Sequence, residues 1–425
     1  MSQKRVLMLS SRIPYPLTAG FRIRIYNEAK YFRKAGWEVD LLCMGKKEDE
    51  SAFRNELAKV FSHVYVIPMK LPEVVGNLLL NILNPDEPFQ NALYKSRQLM
   101  ATLEKVSDNY DLIVGNHIRT AGYLLELRHY LSERQKTVPD FILDYHDAIS
   151  YNYRNAIIVS RGLKKIIYRV EYGRVLRCEK KVASALRKLV IVSPKDKEWL
   201  GTQGAETDHI HVIPVAVRDD ILAPNLEPDQ DTTVINENEK AKESEKTAVM
   251  TEESICFLGK MSYQPNEDAV LWFADRVWPT IHKKWPKMRF YVMGIEPSER
   301  VRELGVRDDH IIVTGFMKNP FEQMTKCIAN VVPIRNGAGV QNKVLESMLI
   351  GVPTIVSPIA AEGIDAQDGR DYLVAKTPDQ YIDYIEKLMS LPGYRSRIGA
   401  AGQKVIKENY LWSGLWKKWE ELINE

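Results

Sequence analysis

The densest chemistry in this 425-residue chain lies in one run, Pro333-Ile334-Arg335-Asn336-Gly337-Ala338-Gly339-Val340-Gln341-Asn342-Lys343-Val344-Leu345-Glu346. An apolar strand enters a glycine-rich turn, and a helix leaves it. Gly337 and Gly339 let a phosphate approach backbone N–H groups at the start of that helix, where the peptide dipoles also favour an anion. Lys343 and Glu346 are three apart and project from one helix face. A lysine in the first turn neutralises a diphosphate, and a carboxylate one turn later accepts both hydroxyl protons of a ribose. Together they fit a nucleoside diphosphate, with Arg335 offsetting further negative charge. The run is not a P-loop, because Lys-Ser/Thr does not directly follow the glycines. A plain surface Lys–Glu helix pair, worth only ~0.2–0.5 kcal/mol, leaves the glycines unexplained. Downstream, Ala360-Ala361-Glu362-Gly363 forms a loop on the same sheet edge, so Glu362 and the N–H groups around Gly363 are expected to hold hydroxyls of a donor sugar.

A second group lies in the first half. Leu143-Asp144-Tyr145-His146-Asp147 runs off the end of an apolar strand, which places His146 and Asp147 at a sheet's C-terminal edge. A histidine there can donate to a sugar hydroxyl or phosphate, and Asp147 can bind a hydroxyl or orient the ring. The plainer alternative is that Asp147 caps the next helix. Gly115-Asn116-His117 follows the preceding strand, and Asn116 is expected to line the same site. Gly20 precedes the first helix and permits close backbone approach by a diphosphate. No GxGxxG follows the first strand, which argues against a standard NAD or FAD site.

The elements that position these residues are those of an α/β protein. In the first half, strands are predicted at Val6–Ser10, Glu38–Met44, Tyr110–Val114, Phe141–Tyr145 and Leu189–Ser193, with a last short strand over 213–217. Their continuous apolar runs suit a parallel sheet covered on both faces. A helix is predicted from Arg22 to Ala35, ended by Gly36, and basic amphipathic helices over 161–188. The second half repeats the alternation, with strands at 254–259, 288–293, 311–314 and 330–334. Helices are expected from near Asn266 and over Pro320–Cys327. Between the halves, 219–253 holds eleven acidic residues against three lysines and has no apolar periodicity, so it reads as a linker or insertion. The expected domains are 1–218, 254–404 and a closing helix over 405–425.

Composition narrows the function. A formal charge of +3 from 59 basic and 56 acidic side chains does not point to nucleic acid. Locally, residues 151–200 carry thirteen Lys or Arg against four Asp or Glu, which suits a solvated helix face, an anionic acceptor or peripheral contact with a membrane. Four dispersed cysteines without a CxxC pair suggest a reduced cytosol, with peripheral association at the inner membrane face left open. Apolar stretches such as 74–83 fall short of a bilayer span. No clustered Asp/His set is visible in the spacing, so neither metal nor cofactor is expected.

The sequence resembles the retaining glycosyltransferases with two facing Rossmann-like domains, the GT-B type, and within them bacterial polysaccharide and exopolysaccharide sugar transferases. The resemblance covers nearly the whole chain and is strongest over Lys343–Pro353. It rests also on the Pro14-Tyr15-Pro16 to Gly20 loop, on His146, on Phe257-Leu258-Gly259 with Pro265-Asn266, and on the closing Trp412, Trp416 and Trp419. It implies a cleft between the domains and transfer of sugar from a UDP- or GDP-linked donor with retention of configuration. Lys343 is then the phosphate-binding lysine, Glu346 the ribose-binding glutamate and His146 the active-site histidine near the donor sugar. The acceptor remains a sugar, a lipid-linked glycan or a peptide. Two departures stand out: Ala338 occupies a place where the family often has glutamate, and Lys260 supplies one phosphate-binding charge while Asn266 stands near where a second lysine is expected. A nucleotide-sugar epimerase, a phosphorylase and a non-catalytic nucleotide-sugar-binding scaffold are the competing classes.

Overall fold

The computed structural model describes residues 3–17, 20–136, 138–217, 221, 253–336 and 339–425. The chain divides into two compact units, residues 1–214 with 418–425, and residues 215–417. Gly337, and all of the acidic 219–253 segment except residues 221 and 253, lie outside the described residues.

The first unit is built on seven parallel strands: β1 (Arg5–Ser10), β2 (Glu38–Met44), β3 (His63–Ile67), β4 (Leu112–Asn116), β5 (Asp140–Asp144), β6 (Lys188–Ile191) and β7 (Ile210–Val212). Their spatial order is β3-β2-β1-β4-β5-β6-β7. The side chains of Val6, Leu7, Met8 and Leu9 on β1 are fully buried, because both faces of the sheet are covered. The second unit repeats the plan with β8 (Ser254–Leu258), β9 (Arg289–Met293), β10 (Ile311–Gly315), β11 (Ala329–Val332), β12 (Thr354–Val356) and β13 (Leu373–Val374), in the order β10-β9-β8-β11-β12-β13. In both sheets the winding reverses between the first and fourth strands. Ligands of such sheets collect beyond the strand C-termini at that switch point.

Local sequence explains where elements begin and stop. Ser193-Pro194, Asn319-Pro320 and Thr377-Pro378 each combine a side-chain N-cap with a proline that needs no donor. Gly36, at φ +88°, follows the Gly20–Lys34 helix and supplies the left-handed turn an ordinary residue resists. Gly294 is constrained more severely. It sits at φ +144°, and a Cβ there would come within 1.8 Å of the Gly259 carbonyl oxygen, so the loops after β8 and β9 can cross only because no side chain intervenes.

Two expectations need correction, and two elements are added. Residues 213–217 are not a strand: the last strand is β7, Pro214 has no N–H to give, and the carbonyls of Ile213 and Pro214 accept from Arg24 instead. Strand β3 and the Leu71–Ile82 helix, unassigned from sequence, are regular elements. The 320–327 helix stops at Met324. In the first unit, Trp419 is fully buried with its ring centroid 6.1 Å from that of Phe32, and Lys188 donates to the Ile423 carbonyl.

Candidate functional site

In the second unit the functional side chains are set by the two segments that flank the switch point. The loop after β8 leads into the Gln264–Arg276 helix, and the turn after β11 leads into the Asn342–Leu349 helix. Lys343 in the second helix donates to the side-chain oxygen of Asn266 in the first, and its ammonium lies 5.1 Å from the centroid of the Phe257 ring. Asn266 is buried and in turn donates to the Lys260 carbonyl at 2.9 Å. The Asn342–Leu349 helix is held in rotation by a short chain of bonds: Asn330 of β11 donates to the Ser347 hydroxyl, which donates to the Lys343 carbonyl at 2.6 Å. Burial pushes the Lys343 ammonium down to about 8, and the nearby Glu346 carboxylate only partly offsets this. The helix has no side-chain N-cap; of its first-turn amides, that of Val344 donates to the Gln341 carbonyl at 2.9 Å.

In the first unit one carboxylate organises the sheet edge. Asp144, the last residue of β5, is fully buried. It is paired with Arg24 of the Gly20–Lys34 helix, which also lies 3.1 Å from Glu28. Burial alone would raise the Asp144 carboxyl, but Arg24 holds it below the usual carboxylate range. Glu28, fully buried beside that charge, is driven well above its ordinary value by burial and by repulsion from Asp144. One cation thus serves two buried carboxyl groups, of which Asp144 is favoured in its charged form and Glu28 is not.

Asp144 also fixes two histidines. Its carbonyl accepts from the His117 N–H at 2.7 Å, and its carboxylate accepts from the His146 N–H at 3.0 Å. Both residues have positive φ: His117 at φ +73°, ψ +151°, a region nearly confined to glycine, and His146 at +64°. Such backbones persist only where their surroundings over-determine them, and here Asp144 does so, together with Val192, whose N–H donates to the His146 carbonyl. The rings meet edge to face with centroids 6.1 Å apart. Burial pushes His146 down to about 4, against the pull of Asp144, so the imidazole is neutral at physiological pH. Asp147 is raised to about 6 by burial and by Asp196 and Asp144.

Beyond β1, β2 and β3 lies a cavity of about 620 Å³, lined in part by Arg12, Tyr15, Arg22, Phe53, Met69 and Tyr94. Arg12 donates to the Tyr94 hydroxyl, and the guanidinium groups of Arg12 and Arg119 both lie over the Tyr94 ring. The Nε atoms of Arg22 and Arg119 are buried without a hydrogen bond among the described residues. Three guanidinium groups with spare donors make this edge receptive to an anion.

Comparison with known proteins bears on both units. Residues 19–220 match the family model described as Glycosyltransferase Family 4, and residues 252–390 the one described as Glycosyl transferases group 1. Solved structures share the fold along the full length. The crystal structure of Anabaena HepE in complex with UDP and glucose is 13% identical, covers 99% of this chain and 100% of its own, and has a TM-score of 0.64. A glycosyltransferase from Rickettsia africae is 15% identical, covers 100% and 98%, and has a TM-score of 0.65. The chain carries the paired domains of a GT-B glycosyltransferase. A Klebsiella pneumoniae relative, described as an uncharacterised 44.6 kDa protein in the cps region, is 21% identical to this glycosyltransferase over 96% of each chain.

The remaining expected residues of the glycosyltransferase take these places. Gly20 opens the first helix, and a Cβ there would meet nothing within 4 Å. Asn116 ends β4 and is buried, with neither side-chain amide atom hydrogen-bonded among the described residues, so it does not present an open surface. Asp147 does not cap the following helix: Glu179 accepts from the Ser150 N–H at 3.1 Å and Asp196 from the Ala148 N–H. Lys260 is exposed and paired with Glu296 at 2.9 Å. Arg335 is also exposed and turned towards Asp268 at 3.5 Å, on the rim of a separate hollow of about 270 Å³. Gly339 has φ +80°, and Gly363, at +78°, follows the exposed Glu362 in the turn after β12.

Sequence reasoning missed Arg24, Glu28 and Asp144. A signal existed: Glu28 interrupts the apolar stripe of Ile25, Ala29 and Phe32, where a lone carboxyl needs a partner. It also missed two groupings with metal-ligand atoms, His282/Asp308/His310 and Glu38/Asp40/His63. Both lie by the N-terminal ends of strands, opposite the edge described above, and their acidic members are bonded to Trp278 and to Arg5 and Tyr110.

Proposed function

We propose that the chain transfers a glycosyl group from a nucleoside-diphosphate sugar to an acceptor hydroxyl, with retention of anomeric configuration, in polysaccharide assembly. The observation that carries the donor assignment is Lys343: a cation in a low-dielectric niche at the switch point of the second sheet, held by a neutral amide. A diphosphate in that place gains the ammonium and the uncapped helix amides together. Glu346 one turn on takes the ribose hydroxyls, with Gly337, Gly339 and Arg335 on the phosphate side and Glu362, Gly363 and Lys260 towards the sugar. UDP donors come first for testing, since HepE is described in complex with UDP and with UDP-glucose; GDP donors stand second. Retention follows the resemblance to retaining enzymes, and the polysaccharide role is supported by the cps-region description of the relative.

In the reaction, the bond from the anomeric carbon to the diphosphate breaks, the acceptor oxygen bonds to that carbon, and the acceptor proton leaves with the departing diphosphate. Lys343 stabilises the charge that develops on the leaving group. The neutral His146 ring donates to a donor-sugar hydroxyl or phosphate, and Asp147 orients it, with Gly20 and Asn116 contributing at the same sheet edge. The acceptor enters on the first unit's side at the arginine-lined cavity. A panel of UDP- and GDP-sugars, assayed for nucleoside diphosphate release with and without glycan acceptors, tests this. Acceptor-dependent release with an α- or β-linked product of unchanged configuration is the expected result. Interconversion of the donor without any acceptor would show an epimerase instead.

A further inference from the structure

We propose that the first unit docks on an anionic lipid bilayer through two neighbouring helical segments, residues 69–83 and 154–170. Seven large apolar side chains are exposed in the first segment and five in the second, while the remaining five among the described residues are scattered. Leu83, Leu71 and Leu163 are 84%, 74% and 72% exposed. Leu163, Ile166, Ile167 and Val170 follow helical spacing, so they form one stripe. The segments adjoin: Arg174 donates to the carbonyl and side-chain oxygens of Asn81, and Arg177 pairs with Asp86 at 2.9 Å. The second segment folds back on itself, with Tyr153 against Tyr168 at 5.7 Å.

Charge decides what covers this face. Residues 148–170 contain Arg154, Arg161, Lys164, Lys165 and Arg169 and no acidic residue. A protein interface core is depleted in lysine, whereas long basic side chains around an apolar stripe suit an interfacial helix: the stems lie on lipid and the charges reach headgroups. Each cation near an anionic leaflet strengthens partitioning about fivefold. The face also leads to chemistry. Met69 lies at its edge and lines the arginine-bordered cavity, so an acceptor held at a bilayer surface would be presented there. The docking face itself rests on exposure and charge, independently of the donor assignment.

Flotation of the full chain with phosphatidylcholine vesicles, with and without 30% phosphatidylglycerol, tests it. Binding is expected to the anionic vesicles, falling at least tenfold for L80D/L83D and for K164E/R169E, all at exposed positions, with thermal unfolding unchanged. High salt should weaken the wild type but hardly alter what remains of K164E/R169E. Equal recovery with both lipid compositions, or variants that float like the wild type, would overturn the proposal. So would light scattering that shows a dimer which L80D/L83D converts to a monomer, because the face would then be a subunit contact.

Discussion

Lys343 permits a prediction in which two assays move in opposite directions. Its ammonium is lowered from 10.5 to about 8 by burial. In the free protein it is therefore about nine-tenths charged at pH 7 and about one-tenth at pH 9. A bound diphosphate restores the charged form, so binding takes up a proton, and affinity is full below pH 8 and lost above it. UDP affinity should fall about tenfold from pH 7 to 9, or ~1.4 kcal/mol. The phosphate's own second ionisation, near pH 6, is complete by then. Lys343→Arg should flatten the profile, and Lys343→Met should cost about 2–4 kcal/mol of binding at pH 7. Stability runs the other way. The folded chain holds fewer protons on this residue between pH 8 and 10.5, so burying the charge costs about 3 kcal/mol below pH 8, and that cost is relieved as pH rises through the window. Removing it, less about 1–2 kcal/mol for the bond to Asn266, should leave Lys343→Met as stable as the wild type or slightly more so. Titration calorimetry in two buffers of different ionisation enthalpy, at pH 8, should report about half a proton taken up per UDP. A flat affinity between pH 7 and 9, or a Lys343→Met variant that binds normally, would refute the reasoning.

Glu346→Gln should weaken UDP by about 1–2 kcal/mol more than it changes pyrophosphate binding, because the ribose contact is lost from UDP alone whereas the effect on the neighbouring Lys343 ammonium is common to both ligands; competition titrations check this. Asp144→Asn should destabilise the fold by about 3–5 kcal/mol in urea, since it strands the buried Arg24, whereas Glu28→Gln should cost less, because burial and the Asp144 charge both raise the Glu28 carboxyl and so disfavour its charged form. His146→Ala should lower turnover roughly a hundredfold with little change in donor affinity. The wild-type pH–rate profile should show no histidine limb above about pH 5, since the ring is neutral above about 4; a limb near pH 6.5 that disappears in the variant would contradict the neutral-donor role.

The part of the proposed donor site that was legible lies in one contiguous run. Lys343 and Glu346 share a helix turn, so chain spacing alone places them together. Strands buried on both faces were equally legible, because a short, unbroken apolar run between turn residues suits a sheet interior and little else. The edge strand β3 was not: His63-Val64-Tyr65-Val66-Ile67 is only partly buried, and its pattern is too short and mixed to separate from a loop. Position 266 read as a missing lysine, whereas the fold uses its amide to aim Lys343 from 77 residues away. The Arg24–Asp144 pair spans 120 residues, and no local pattern reports a partner at that distance.

The two sheet edges treat charge in opposite ways, and the contrast supports the roles proposed for them. At the first, the Arg24 guanidinium is already paired with Asp144 and lies beside Glu28, so its charge is met within the cluster. What it provides is position, since it locks two histidine backbones in conformations they would not adopt unaided. At the second, the half-buried cation has a neutral amide as its hydrogen-bond acceptor and a carboxylate that offsets only part of the desolvation cost. A closed ion cluster gains nothing from a ligand, whereas a desolvated lysine beside uncapped helix amides gains from any anion that reaches it. On this contrast we propose the first edge as scaffolding for a neutral hydrogen-bond donor and the second as the place where a diphosphate binds.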